Sequence, residues 1–175
     1  MEEIKLSDDV FDQIKDFRHL NLTEEQKLLI DKLILNEELK KCYKWYGLCK
    51  ECKQPKTDDY WCRSCNSKYF QQNFKNWTSG NHDVNEFIQK AQLKAESFDQ
   101  IIEWIEYDRF ENVEYLAKGG FGTTYKAIWK DGCIDYWGFK NEFIRKKDDE
   151  KGHPVALKCL HNSQDITVEF LKEVW

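Results

Sequence analysis

A length of 175 residues leaves room for one or two small domains. An aromatic share of 15% excludes general disorder, because disordered chains are poor in aromatic residues, and a charged share of 34% limits the chain to small cores. The net charge of −5 makes the whole chain a poor nucleic-acid ligand, although residues 40–75 carry nine basic side chains against three acidic ones.

The distribution of apolar residues and cysteines predicts a soluble protein of a reducing compartment. The first residues lack the basic start and the apolar run of a secretory signal. The longest strictly apolar runs are three residues, far below the roughly 20 that a membrane-spanning helix needs. Four of the seven cysteines have metal-type spacing, which is typical of chains that keep their thiols reduced. We therefore expect a cytoplasmic location and no membrane association.

The first predicted helix begins at a capping motif. Residues 1–22 mix acidic and apolar side chains without a clear period and form a predicted N-terminal lead. Thr23-Glu24-Glu25-Gln26 then matches a capping box, in which the Thr oxygen accepts a helical N–H and Gln reaches back to the cap. The pattern predicts a helix over 28–42 within a helical segment at 23–46. Its broad apolar surface needs a packing partner.

A four-cysteine module at residues 47–70 follows this helix. Cys49 and Cys52 form one CxxC pair, and Cys62 and Cys65 form a second pair after nine intervening residues. Two such pairs can supply the four thiolates of a closed tetrahedral site, which suits structural Zn²⁺ and leaves no open position for a substrate. A redox CxxC, free thiols and an iron–sulfur cluster are the alternatives, the last without other support in the sequence.

Aromatic side chains alternate with lysines around this module. They are Tyr43, Trp45, Tyr46, Tyr60, Trp61, Tyr69 and Phe70. Such a surface could stack on bases and contact the phosphates of a nucleic acid, or it could contact a protein partner. A small zinc module also needs aromatic residues simply to build a core, because small domains bury little surface. We favour the core interpretation and regard nucleic acid as the less favoured partner.

Residues 71–106 are predicted to form a helical connector. A breaker cluster at 79–83 precedes apolar residues at helical spacing. These residues are Val84, Phe87, Ile88, Ala91, Ala95 and Phe98. The stripe predicts a helix that packs on a neighbouring domain, and nothing in it suggests a ligand site.

Beyond this connector the pattern changes to short strands. In chain order, the predicted elements are a strand over 115–118, a strand over 124–129, a turn at Asp131-Gly132 and a strand over 155–160. The first two flank a glycine-rich segment and predict a hairpin. Residues 133–153 look like an insertion, and its charged run of mixed sign at 145–151 is predicted to be a solvated loop. The start of a helix is predicted over 165–175.

The glycine-rich segment has the features of a phosphate-binding loop. Gly119, Gly120 and Gly122 let backbone N–H groups approach phosphates without side-chain obstruction, and Phe121 falls at the tip of the loop. A glycine match alone is weak, since a tight hairpin turn accounts for it equally well. Its order relative to other motifs therefore decides its interpretation.

Two further motifs follow the loop in the order that protein kinases use. V-A-L-K ends at Lys158, and Glu173 lies 15 residues later in an E-F-L-K-E-V segment. With L-A-K-G-G-F-G-T-T-Y-K-A at 116–127, they make residues 107–175 resemble the start of the N-lobe of eukaryotic protein kinases, of the Ser/Thr or tyrosine-kinase-like groups. From about Thr23 onward, the arrangement of helices, cysteine module and kinase motifs resembles a large fungal family of kinase-like proteins.

The resemblance implies an ATP site. Lys158 would contact the α- and β-phosphates with Glu173 as its helix partner, and Ala156 would line the adenine pocket. Ala117 stands where the family has the loop's first glycine, and Thr124 replaces the usual valine, so both could weaken nucleotide binding. The residues implied to bind nucleotide are Ala117, Lys118, Gly119, Gly120, Phe121, Gly122, Thr124, Ala156, Lys158 and Glu173.

The family's catalytic motifs do not occur in this sequence. There is no H-R-D-x-x-x-x-N, D-F-G or A-P-E, which in kinases supply the base and the Mg²⁺ ligands. We expect an α+β chain, with a helical N-terminal region and zinc module followed by a truncated kinase N-lobe of antiparallel sheet and the start of helix C. The parent would transfer phosphate from Mg-ATP to a protein substrate at Ser/Thr, or alternatively Tyr, and this chain alone would be inactive. The other hypothesis is a non-catalytic interaction protein that acts through its zinc module.

Overall fold

The structure is an α+β computed structural model that describes residues 5–120, 122–137, 143–146, 152–161 and 171. The chain divides into two compact units. The first unit comprises Met1–Asn73 with Gln92–Ile101, and the second comprises Phe74–Ala91 with Ile102–Trp175. The part of the chain described here contains no helix long and apolar enough to cross a membrane.

The helices lie mainly in the first unit and the strands in the second. The helices are α1 (Asp8–Ile14), α2 (Glu24–Leu33), α3 (Glu37–Tyr46), α4 (Arg63–Asn73) and α5 (His82–Lys94). The strands are β1 (Phe110–Lys118), β2 (Gly122–Trp129), β3 (Cys133–Trp137), β4 (Phe143–Lys146) and β5 (His153–Leu160). Short 3-10 turns occur at Phe74–Asn76, Phe98–Gln100 and Tyr107–Arg109.

Helix α1 lies in the lead segment, where the sequence showed no period. Ser7 caps it by accepting a hydrogen bond from the Val10 N–H at 3.3 Å, and Asp8 and Asp9 in the first turn complement the helix dipole. The helix has seven residues, and Ile14 is the buried one. A helix of two turns is too short to show an apolar period, which is why the pattern missed it.

The predicted helix over 28–42 is two helices. The capping box is confirmed, because Thr23 Oγ1 accepts from the Gln26 N–H at 3.2 Å and Gln26 Oε1 accepts from the Thr23 N–H at 3.0 Å. Helix α2 then stops, and Asn36 starts α3 by accepting from the Leu39 N–H at 2.9 Å. An Asn side chain that bonds a nearby backbone N–H competes with helix continuation, so the single predicted helix was wrong.

Helices α1 to α3 share one core. Ile14, Ile30, Ile34 and Tyr43 are at most 2% exposed. The Tyr43 hydroxyl donates to the Ile14 carbonyl at 3.0 Å, and burial raises the pKa of Tyr43 to about 12. Partly buried residues pack against this cluster, namely Leu6, Val10, Phe17, Leu22, Leu33, Leu39 and Leu48. Leu48 directly precedes the first metal-type cysteine, so the core supports the cysteine module.

Helix α5 (His82–Lys94) lies where the apolar stripe predicted a helix within the segment 71–106. Asn81 caps it, since its Oδ1 accepts from the backbone N–H groups of Asp83 at 2.9 Å and Val84 at 3.2 Å. Ile88 is buried, as the apolar stripe predicted. The last residue of that stripe departs from the prediction, because Phe98 lies in a 3-10 turn beyond the helix and is 40% exposed.

The second unit contains two antiparallel sheets. A three-stranded sheet has the order β1-β2-β5, which confirms the predicted hairpin and the strand near residues 155–160. Strands β3 and β4 pair with each other inside the predicted insertion at 133–153, and the prediction of a solvated loop for the charged run was wrong at 145–146. The rest of the charged run, 147–151, lies outside the described residues, as does the predicted helix over 165–175 except for Leu171.

Arg145 explains why part of the charged run forms a strand. Its guanidinium donates to the Gly132 carbonyl at 2.8 Å, pairs with the carboxylate of Glu103 and lies 5.5 Å from the Trp129 ring centre. Burial raises the pKa of Glu103, and the hydrogen bond from Arg145 opposes that rise. A charge in this run therefore takes part in the packing of the second unit, which a count of charges along the sequence cannot show.

Candidate metal centre

The first CxxC pair lies in a tight turn between Leu48 and Pro55, which pair in an antiparallel bridge. The Cys49 N–H donates to the Gln54 carbonyl at 2.8 Å, and the Lys53 N–H donates to the Cys49 carbonyl at 3.0 Å. Lys53 closes the turn with φ of +63°, a left-handed conformation that is uncommon for lysine. We call residues 48–55 the knuckle. This turn brings the thiols of Cys49 and Cys52 close to each other.

The second pair lies at the start of helix α4. Cys62 immediately precedes the helix, and its carbonyl accepts from the Asn66 N–H at 3.0 Å, while Cys65 lies in the first turn. A bridge between Asp58 and Trp61 returns the chain from the knuckle to this point. The partial positive charge of a helix N-terminus would help to stabilise these two sulfur atoms as metal-bound thiolates.

The four thiols form one cluster. All the sulfur atoms of Cys49, Cys52, Cys62 and Cys65 lie within 4.8 Å of one another. The Sγ atoms of Cys49 and Cys65 are 3.8 Å apart, and those of Cys52 and Cys62 are 3.4 Å apart. A tetrahedral ion with Zn–S bonds of about 2.3 Å places its sulfurs about 3.8 Å apart. The predicted ligands therefore come together with the size of a four-thiolate site, and this cluster could hold a metal ion such as zinc.

Hydrogen bonding among the four thiols lowers the pKa of two of them and raises the pKa of the other two. Hydrogen bonds from Cys52 and from the other two thiols hold the pKa of Cys49 below its usual range, and the pKa of Cys52 is also lowered. Hydrogen bonding to Cys49 raises the pKa of both Cys62 and Cys65, with burial adding to the rise. A cation must displace the remaining thiol protons before all four sulfur atoms bind it as thiolates.

The remaining cysteines lie outside this cluster. Cys42, Cys133 and Cys159 are free thiols. Burial raises the pKa of Cys42, as expected for a small apolar residue near a core. Since all four coordination positions come from the cluster, the arrangement fits a structural site better than a catalytic one.

Of the seven aromatic residues named for the module, Tyr43, Trp61 and Phe70 are buried, and Tyr46 and Tyr69 are half-buried. Trp61 is 1% exposed, and its Nε1 donates to the Ala95 carbonyl at 3.0 Å, while Phe70 lies 6.5 Å from it in a tilted ring contact. Trp45 and Tyr60 are the members with large exposed areas, 64% and 70%. The stacking surface that a nucleic acid would need is therefore reduced to two exposed rings.

Several of the basic side chains in this region are already engaged. Lys40 and Lys44 both pair with Asp31, and hydrogen bonding to Lys44 lowers the pKa of that carboxyl. Arg63 pairs with Glu96, at 3.3 Å. Such surface pairs add little stability, but they reduce the positive charge available to a phosphate backbone.

The glycine-rich segment forms the turn between β1 and β2. The Gly119 N–H donates to the Gly122 carbonyl at 2.8 Å and closes the turn. At Gly122 a Cβ would lie 2.4 Å from the Cys159 carbonyl oxygen, whereas at Gly120 it would meet no atom within 4 Å. The glycines thus have different roles, since strand packing requires Gly122 and leaves Gly120 open to substitution.

Four of the residues implied to bind nucleotide lie on one face of the three-stranded sheet. Thr124 is paired with Ala117 on one side and with Lys158 on the other, and Lys126 is paired with Ala156. Partners in an antiparallel ladder share a face, as do residues two apart on a strand. Ala117, Thr124, Ala156 and Lys158 therefore share the face that also carries Lys126. We call it the lysine face.

Other predicted residues fall elsewhere. Lys118 pairs with Thr123 and so lies on the opposite face of the sheet. Phe121 and Glu173 lie outside the described residues. Lys158 is exposed and forms no ion pair within the described part of the chain. In comparisons with models of protein families, with curated proteins and with solved structures, the chain matched none.

Two residues that support the four-cysteine cluster were not predicted from the sequence. Lys53 and Gln54 close the knuckle through backbone hydrogen bonds, as described above. Their position directly after the second cysteine of a CxxC pair could have predicted this role, because the chain must reverse direction there. Nothing in their residue types marks them, since lysine is an uncommon residue at positive φ.

Proposed function

We propose that this chain is a zinc-stabilised N-terminal part of an ATP-dependent protein kinase, whose parent transfers phosphate to protein Ser/Thr, or alternatively Tyr. The observation that carries the nucleotide part is the register of the three-stranded sheet. It sets Lys158 opposite Thr124, two residues from the glycine turn, on an exposed face that also holds Ala117 and Ala156.

The residues of the lysine face would bind a nucleotide but would not catalyse transfer of its phosphate. Backbone N–H groups around Gly119 and Gly120 would donate to phosphate oxygens, because among the described residues no side chain beyond the chain neighbours comes within 4 Å of a Cβ added at either glycine. The Lys158 ammonium would neutralise part of the phosphate charge. Thr124 and Ala156 would offer the adenine a surface of small side chains. When bound with Mg²⁺, ATP supplies the phosphoryl group that the parent enzyme transfers.

Zinc is the metal that we propose for the four-cysteine cluster. Four thiolates at tetrahedral separation suit this ion in a closed structural site. Its role would be to hold the knuckle and the start of α4 together, since these segments have no large core of their own. The exposed aromatic residues next to it, Trp45 and Tyr60, do not form a surface that favours a nucleic acid over this structural role.

Nucleotide binding is tested by titrating the isotope-labelled chain with Mg-ATP and following backbone NMR resonances. We expect weak binding, with a Kd of about 1 mM, because the described residues supply only one wall of a site. The amides of Gly119, Gly120 and Lys158 should shift, and Lys158→Ala should abolish the shifts. Lys130→Ala is the matched control, because Lys130 follows the end of β2 that is remote from the glycine turn and pairs with Glu111. Equal shifts in the Lys158→Ala chain would rule out the proposed nucleotide site.

Zinc binding is tested separately by metal analysis of the purified chain. We expect about one zinc per chain, lost in Cys49→Ser. Cys42→Ser and Cys159→Ser provide matched controls, since both thiols lie outside the cluster and should leave the zinc content unchanged. Loss of zinc in a control variant, or retention in Cys49→Ser, would exclude this ligand set.

A further inference from the structure

Gln54 connects the knuckle to the N-terminal segment. Its side-chain Oε1 accepts from the Leu6 N–H at 2.7 Å, and its Nε2 donates to the Leu6 carbonyl at 3.1 Å. The same residue's backbone carbonyl accepts from the Cys49 N–H at 2.8 Å. One side-chain amide therefore satisfies both backbone groups of Leu6, as a paired strand would, from a residue 48 positions away.

Lys53 makes a second contact to the same segment. Its ammonium lies 5.0 Å from the centre of the Phe11 ring, within the range of a cation–π interaction. The position of that ammonium depends on the left-handed backbone of Lys53, whose N–H donates to the Cys49 carbonyl. Both contacts to the N-terminal segment thus originate from adjacent residues whose conformation is that of the closed knuckle.

We propose that residues 5–11, here called the latch, are held by the metal-bound knuckle and are released when the metal leaves. This proposal rests on the zinc site proposed above. An ion bound to Cys49 and Cys52 would favour the closed knuckle, and only the closed knuckle presents Gln54 to Leu6 and Lys53 to Phe11. The coupling is reciprocal, so an intact latch also increases zinc affinity.

The far end of α1 is held in a different way. Ile14 is fully buried in the core of α1 to α3, and its carbonyl accepts from Tyr43. Release of the latch should therefore stop within α1. The amide of Leu6, bonded to Gln54, reports on the latch, and the amide of Phe17, bonded to the Ile14 carbonyl at 3.1 Å, reports on the far end.

The test is hydrogen exchange of the full zinc-bound chain with Gln54→Ala, with Gln71→Ala as the matched control on the exposed face of α4. We expect amides of the latch to exchange about tenfold faster in Gln54→Ala, because two hydrogen bonds are lost, with zinc content unchanged. Zinc affinity, measured by chelator competition, should fall by a similar factor. Gln71→Ala should alter neither quantity. Unchanged exchange of the latch in the zinc-bound Gln54→Ala chain would overturn the proposal.

Chelation of the original chain provides a second arm. We expect removal of zinc to raise exchange in the latch while amides of the β1-β2-β5 sheet keep their protection. Latch protection that survives complete removal of zinc would also overturn the proposal. Metal analysis of the same sample distinguishes the two proposals. A chain that never binds zinc refutes the metal site itself. A zinc-bound chain in which hydrogen exchange of the latch does not respond to Gln54→Ala or to zinc removal refutes only the coupling.

Discussion

Substitution of alanine for Gly122 separates the packing role of this glycine from any role in binding phosphate. The Cβ of alanine would lie 2.4 Å from the Cys159 carbonyl oxygen and 3.3 Å from the Leu160 Cα, whereas ordinary contacts begin near 3.4 Å. Both neighbours are backbone atoms of β5, which cannot rotate away. The strands must therefore separate by about 1 Å at this pair, and overpacking of this kind costs about 2 kcal/mol.

The predicted loss belongs to the second unit alone. Since the chain has two compact units, a single global transition is not assumed, and the indole N–H resonance of buried Trp129 serves as the local probe in a thermal NMR series. We expect Gly122→Ala to lower the midpoint of the second unit by roughly 10 °C. Gly120→Ala should change this midpoint little, because within the described part of the chain no atom outside its sequence neighbours lies within 4 Å of the added Cβ.

The comparison of Gly122→Ala with Gly120→Ala tests whether β2 and β5 approach closely at Gly122. If Gly122→Ala and Gly120→Ala have the same midpoint, the close approach of β2 and β5 at this position is wrong. If instead Gly120→Ala weakens Mg-ATP binding at unchanged stability, while Gly122→Ala loses stability, the glycines divide into one packing residue and one phosphate-facing residue. That division is what the geometry of the turn predicts.

Three further changes have defined outcomes. Tyr43→Phe should destabilise the first unit by about 1 kcal/mol in urea unfolding followed by circular dichroism, because the Ile14 carbonyl then keeps only the Phe17 N–H as a partner; no change would show that the hydroxyl bond is not formed. Asn36→Ala should cost the same unit about 1 kcal/mol by removing the cap of α3, and Asn36→Asp should restore it. Glu103 has a raised pKa when folded, so its contribution to stability is complete below its ordinary value of 4.5 and is lost as the pH rises through the raised pKa. Glu103→Gln should remove that part of the pH dependence above pH 4.5, and an unchanged profile would contradict the burial of this carboxyl.

Local chemistry along the chain was enough to predict several elements. The capping box at Thr23 depends on residues three apart, and the hairpin of β1 and β2 depends on a glycine turn between apolar strands, so both are visible in short windows. The four cysteines with metal-type spacing were also predictable from short windows, because CxxC spacing lets the two thiols of each pair point to the same side. The resemblance to kinases likewise depends on motifs that can be read in order.

The tertiary structure alone decided which of these residues act together. Only the folded chain shows that the predicted helix over 28–42 is interrupted before Asn36, that Arg145 pairs with Glu103, and that Gly122 packs against the backbone of β5. The contact of Gln54 with Leu6 spans 48 residues and involves an amide with no distinguishing neighbours. Hydrogen bonds and packing at such separations depend on where the backbone returns, which no local pattern of residue types specifies.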